Sequence, residues 1–269
     1  MNRFLTLLFV LFSMVSCNSF QKALKSTDIA EKNKVANELF EKQKYSKAIR
    51  LYEQIIPSYR GKPQGERMFY MYAKSLYEMG NKSDAYYVAA ADELDRFASN
   101  YAGSEKREEA MFLAAESYYK LSPVYSLDQD DSNRALSKLQ RFIDLYPSST
   151  YLTQANVYVK EIESKLDKKA FEIAKQYYQI GNYKSAIKVM DNFILDHPGT
   201  SYKEDALYYK FSAAHDLAIN SVEYKKRDRL EFAKTSYLNL IKFNSDTEYK
   251  NQAEKMFEEI NQNLEKYTN

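Results

Sequence analysis

Tryptophan is absent from this chain of 269 residues, and cysteine occurs once, at Cys17. A single cysteine excludes an internal disulfide and any zinc site built on several thiolates. The two histidines, His197 and His215, are too far apart in sequence to give a zinc-ligand spacing. Six glycines and five prolines are too few for an all-β protein rich in tight turns. Charge of either sign is not in surplus: 39 Lys and Arg face 37 Asp and Glu, which gives no support for a nucleic-acid partner. There is no Gly-rich phosphate loop, no HExxH and no GxSxG. Glu108-Glu109 and Glu258-Glu259 are adjacent pairs that read as surface charge rather than an acid–base dyad. No nucleophile has a plausible base. An enzyme is therefore the least supported class, and neither a cofactor nor a metal is expected.

What the chain does have is an apolar start and a heavy aromatic load, 25 Tyr and 15 Phe. Residues 1–16, MNRFLTLLFVLFSMVS, combine a basic Arg3 with an apolar run too short to span a bilayer, and so read as a secretory signal peptide. The ending Met-Val-Ser-Cys resembles a bacterial lipobox. That resemblance implies cleavage before Cys17 and attachment of a diacylglycerol and an N-acyl chain to it. Two or three acyl chains, at about 0.8 kcal/mol per buried methylene, hold a protein stably on a membrane. Asn18 is permissive for the outer membrane in the sorting logic of enterobacterial lipoproteins. The following NSFQKALKST lacks the acidic run of surface-exported lipoproteins, which points to the periplasmic face. Residues 17–29 read as a polar, lipidated tether.

The remainder, 30–269, repeats itself. Ala135, Leu139, Phe142 and Pro147 stand at relative positions 0, 4, 7 and 12, and Ala186, Met190, Phe193 and Pro198 repeat that spacing. Ala48, Tyr52 and Ile55, and again Ala233, Tyr237 and Leu240, repeat it without the proline. Offsets of 4 and 7 share one helical face. Upstream of these lie small–large pairs: Ala36 and Leu39, Ala73 and Leu76, Ala115 and Tyr118, Ala174 and Tyr177, Ala214 and Leu217. Turns separate the paired helices, most clearly at Gly80-Asn81 and Gly181-Asn182, where glycine can take the left-handed conformation that ends a helix. The order resembles the tetratricopeptide repeat. It predicts an all-α helical solenoid of about five helix–turn–helix units, at roughly 30–60, 66–102, 108–147, 168–198 and 204–244, with a terminal helix at about 248–267. Insertions are expected after Gly80 and at 122–132 and 219–230.

Segments outside the repeat consensus carry a more specific likeness. FQKALKSTD (20–28), YYKLSPVYSLDQ (118–129), RFIDLYPSSTY (141–151), KLDKKAFEIAKQYYQIGNYKSAI (165–187) and DLAINSVEYKKRDR (216–229) resemble the BamD family of outer-membrane assembly lipoproteins, in its Bacteroidetes form. The resemblance implies a scaffold in the complex that inserts β-barrel proteins into the outer membrane. Its implied partners are a BamA-like barrel with periplasmic POTRA domains, and unfolded outer-membrane proteins.

In a tetratricopeptide stack the first helix of each unit lines the concave face. Counting from the small residues nominates Asn33, Asn37, Phe40, Tyr70, Lys74 and Tyr77 as a client-peptide groove, with rings to bury side chains and Asn and Lys to bond carbonyls or a terminal carboxylate. Inter-repeat packing by Tyr70 and Tyr77 is the competing reading. Lys225, Lys226 and Arg227, in the insertion of unit 5, are either a solvated loop or a contact to an acidic partner. The family resemblance implies partner docking at the C-terminal repeats and aligns His215 near a basic contact position. His197, beside Pro198, is expected to cap a helix. Two other classes stay open: a tetratricopeptide adaptor of peptidoglycan or division machinery, and a SusD-like glycan-binding lipoprotein. The latter are much longer and use Trp-rich platforms that this chain lacks.

Overall fold

The computed structural model describes residues 19–59 and 62–267. Cys17, the signal peptide before it and Asn18 lie outside the described residues. Among the described residues there is no strand. The chain forms a tetratricopeptide-type array: α1 (residues 19–25), α2 (Ile29–Glu41), α3 (Tyr45–Tyr59), α4 (Glu66–Met79), α5 (Asp84–Asn100), α6 (Arg107–Leu121), α7 (Asp130–Leu145), α8 (Leu152–Gln179), α9 (Tyr183–Asp196), α10 (Lys203–Ile219), α11 (Glu223–Phe243) and α12 (Lys250–Glu265). No helix described is long and apolar enough to cross a membrane. Two compact units result, one of residues up to Pro123 with Asp128–Ile162, the other of Val124–Leu127 with Glu163–Asn269.

The repeat positions are the contacts that build each helix pair. Ala48, Ala135, Ala186 and Ala233 are fully buried, and so are Tyr52, Leu139, Met190 and Leu240 at the next layers. Each buried large side chain contributes about 1.5–3 kcal/mol. α5 obeys the same rule with Ala90, Leu94 and Phe97, all buried. Its pattern is shifted because α5 starts only at Asp84, capped by the Ser83 hydroxyl, which accepts from Ala85 N–H at 3.4 Å.

A further position, eleven residues after the alanine, ends the helix. The backbone N–H groups of Tyr101, Tyr146 and His197 donate to the carbonyls of Phe97, Phe142 and Phe193. Each ring at this position also packs on that Phe, with centroids 5.2, 5.6 and 4.8 Å apart. His197 thus caps α9 as the sequence suggests, and its Nδ1 lies 2.7 Å from Asp167 Oδ1.

Four details differ from the sequence reading. The expected tether is helical over 19–25 and buries Phe20 and Ala23. Unit 4 was expected to open at 168, but α8 begins at Leu152 and runs unbroken for 28 residues, burying Ala155 and Ile162 in the first unit and Phe171 and Ala174 in the second. The insertion expected at 219–230 is mostly helix, because α11 starts at Glu223. Finally, Gly181 has the left-handed φ of +76° but Gly80 does not. Gly80 is needed for space: a Cβ there would stand 2.2 Å from the Tyr87 ring. That ring is buried, lies edge-on to Tyr77 at 6.0 Å and donates from its hydroxyl to Asn81 Oδ1 at 2.9 Å.

Gly80→Ala should therefore lower stability by about 1–3 kcal/mol through overpacking. Gly181→Asn should be close to neutral, because Asn tolerates the left-handed region. Urea midpoints check both; equal effects would contradict the assignment of space to one glycine and backbone freedom to the other.

Candidate functional site

In the first unit, α2, α4 and α5 enclose a cavity of about 660 Å³. Phe40, Tyr70 and Lys74 line it, together with Met71, Phe97 and Lys106. Residues 70 and 74 are one turn apart on α4, which is why both face it. The lining also carries charge of both signs, Glu41, Glu66 and Arg67 beside the two lysines, with Arg67 and Glu41 3.9 Å apart. Lys74 Nζ donates to Glu109 Oε1 at 2.5 Å and Lys106 Nζ to Oε2 at 3.4 Å. The same two ammonium groups lie over the Tyr70 ring, 5.8 and 5.5 Å from its centroid, an arrangement that favours cations.

Burial pushes the Glu109 carboxyl up, but hydrogen bonding from Lys74 and Tyr70 and the nearby positive charge outweigh it and hold the pKa below the ordinary value. Tyr70 is pushed the other way, first by burial and then by the Glu109 carboxylate, so its phenol stays protonated. Although that carboxylate is close enough to act on its pKa, the buried Tyr70 hydroxyl has no partner that meets hydrogen-bond geometry. The cavity therefore offers an apolar and aromatic floor rimmed by charged side chains, Lys74, Lys106 and Arg67 with Glu41 and Glu66.

The other nominated groove residues are placed elsewhere. Asn37 Oδ1 accepts from the Tyr52 hydroxyl at 2.9 Å, tying α2 to α3. Asn33 Oδ1 is buried without a partner, away from the cavity lining. Tyr77 packs against Tyr87, and burial and Glu116 raise its pKa. Glu116 also accepts from the Tyr158 hydroxyl at 2.6 Å, so this is a second, internal cluster. Sequence reasoning missed Lys106 because it precedes α6 in a turn and has no helical phase. It missed Phe97 because a buried ring at a repeat position reads as core alone.

In the second unit, His215 is an internal tie, which corrects its nomination as a partner contact. It is buried on α10; its Nδ1 is 2.9 Å from Asp216 Oδ1 and its Nε2 is 3.0 Å from Glu259 Oε2 on α12. Lys225, Lys226 and Arg227 lie in the first turns of α11 rather than in a loop, with Lys225 and Arg227 exposed and Lys226 half-buried. Val222 and Tyr224 beside them are 56% and 79% exposed. Among the described residues, no group of three or more His, Cys, Asp and Glu could hold a metal ion.

The tie at His215 has a pH dependence. Burial disfavours the charged ring, but hydrogen bonds to Asp216 and Glu259 and their charge outweigh it, so the pKa rises above the ordinary 6.5. The stabilisation is then complete below about pH 6.5 and is lost as pH rises through the raised folded pKa. Stability of the native chain should fall across that window with a slope no steeper than about 1.4 kcal/mol per pH unit. In His215→Gln the slope should vanish; urea midpoints measured across the window check this, and an unchanged slope would contradict it.

The family model described as outer membrane lipoprotein, YfiO, matches residues 28–230. The outer membrane protein assembly factor BamD of Caulobacter vibrioides is 28% identical over 142 residues, which cover 53% of this chain and 45% of that protein. A putative BamD of Aquifex aeolicus is 25% identical over 191 residues, covering 71% of this chain and 58% of that protein. The chain thus spans about half the length of the curated relatives it matches. Among solved structures, the TPR domain of P58(IPK) aligns over 89% of this chain and 66% of its own, with 15% identity and a TM-score of 0.41. At that score the fold assignment rests on the helix pairs described above and on the family match. With three quarters of its length inside the family model, this chain belongs to the YfiO outer membrane lipoprotein family.

Proposed function

We propose that this protein is a lipid-anchored scaffold of outer-membrane β-barrel assembly, held at Cys17 on the periplasmic face. It has no catalytic role in this reading. Its first unit receives segments of unfolded barrel proteins, and its second docks a BamA-like barrel through periplasmic POTRA domains. Support comes from the family, whose curated relatives are named assembly factors, and from the chemistry of the two surfaces. The observation that carries the client site is the cavity itself: an extended peptide presents carbonyls to the two lysines and side chains to Phe40 and the neighbouring apolar lining. With His215 turned inward, docking by the second unit falls to the exposed start of α11, where basic residues flank Val222 and Tyr224.

The test is capture from outer membranes in mild detergent, which should recover a barrel protein with POTRA domains. Recovery of peptidoglycan or division proteins in its place would overturn the reading. Two sets of variants separate the surfaces. Lys106→Gln removes an exposed charge at the cavity, so stability should change by less than about 1 kcal/mol while client capture weakens. Lys225→Gln, Lys226→Gln and Arg227→Gln together should weaken partner capture, most at low salt, and leave client capture intact. Full-strength, salt-independent partner binding by the triple variant would show that the cluster is only solvated charge.

A further inference from the structure

Phe20 fixes where the chain leaves the fold. It lies on α1 at 2% exposure, with Lys47 Nζ 5.3 Å and the Arg50 guanidinium 5.5 Å from its ring centroid. Ala23, one turn on, is fully buried, so α1 is packed from its first turn rather than hanging free. Only Asn18 and Ser19 separate Phe20 from Cys17. Three residue steps, fully extended, reach about 11 Å. That is close to the Debye length of roughly 8 Å at physiological ionic strength. An acylated Cys17 would therefore bring the packed base of α1 to within electrostatic range of the lipid headgroups.

The charge of this end fits that neighbour. Residues 19–59, which hold α1, α2 and α3, carry eight Lys or Arg against five Asp or Glu, although the whole chain is at +2. Lys22, Lys25 and Arg50 are exposed, and Lys47 is half-buried over Phe20. The nearby acids are in part engaged: Glu31 pairs with Lys22 at 3.4 Å, and Asp28 caps α2, while Glu53 is exposed on α3.

We propose that the α1–α3 surface bearing Lys22, Lys25, Lys47 and Arg50 lies flat on the bilayer, against anionic phospholipid headgroups. This rests on the reading of Cys17 as the lipidated residue. The anchor is then a short, stiff mount that orients the first unit, not a leash.

The test uses the full-length, natively processed protein in vesicles of phosphatidylethanolamine and phosphatidylglycerol that contain a headgroup-nitroxide lipid. Ser46→Cys, exposed at the start of α3, carries a maleimide fluorophore, and a fatty-acid label reports acylation of Cys17 in every variant. Strong quenching is expected with the native spacing. A flexible Gly/Ser linker of about 20 residues inserted after Asn18, with an r.m.s. reach of about 25 Å, should cut the quenching at least threefold. For the charge, Lys22→Gln with Lys25→Gln in unacylated Cys17→Ala protein, secreted with an ordinary non-lipoprotein signal peptide so that residues 1–16 are absent, should lower binding to the anionic vesicles about tenfold or more. Quenching indifferent to the linker while acylation is intact would overturn the proposal, as would vesicle binding indifferent to the two lysines. Quenching that needs a second envelope protein would assign the surface to that protein instead. Absence of acylation in every variant would identify the reading of Cys17 as the failure.

Discussion

Close approach of paired helices at a buried alanine is the constraint on which this structure depends. At Ala48, Ala90, Ala135, Ala186 and Ala233 the second helix of each pair has no side chain beyond Cβ, and each of these residues is fully buried. With the backbones so close, the residues four and seven positions on are forced into the next layer, where they bury most of the apolar area. The residue at position eleven then closes the helix by its N–H and, in three units, by a ring laid on the Phe. One short spacing thus sets contact distance, core filling and helix end together.

The two candidate surfaces are what this packing leaves over. Rings and aliphatic groups that satisfy the repeat are buried among their neighbours. The cavity in the first unit forms where α4 sets Lys74 beside the buried Tyr70, whose ring packs on Phe97, and Glu109 holds Lys74 and Lys106 there. The lysine ammonium groups are donors that a carbonyl-rich ligand can use, with Glu41 and Glu66 on the same lining. In the second unit, three basic residues occupy the start of α11, where the helix dipole disfavours them. Lys225 Nζ lies 5.1 Å from the Tyr224 ring centroid, so the cluster and that exposed ring form one surface.

Much of the fold was legible in the sequence because the repeat is periodic. The spacing alone located helix faces, the cap at His197 and the helix ends before Pro147 and Pro198. What it did not show was non-periodic. The continuity of α8 depends on Leu152–Leu166 lacking any breaker, which a search for repeat units passes over. Phe20 stands alone in a polar stretch, and its burial depends on Lys47 and Arg50 more than twenty residues away. Gly80 and Gly181 look alike in sequence, yet one makes room for the Tyr87 ring and the other takes a left-handed φ. Half of the nominated groove, Phe40, Tyr70 and Lys74, does line one cavity. Asn33, Asn37 and Tyr77 were placed by counting along one helix, and His215 by family resemblance; neither carries information about what the adjacent helix brings against the residue.

The division of labour between the two units is tested most directly by site-specific photocrosslinking in living cells. A photoreactive residue replaces Gln64, at the cavity rim, in one strain and Tyr224, exposed on α11, in another. The account predicts that position 64 captures newly made, unfolded barrel proteins and position 224 captures one folded partner with periplasmic domains. Capture of the same species at both positions, or of the folded partner at position 64, would contradict it.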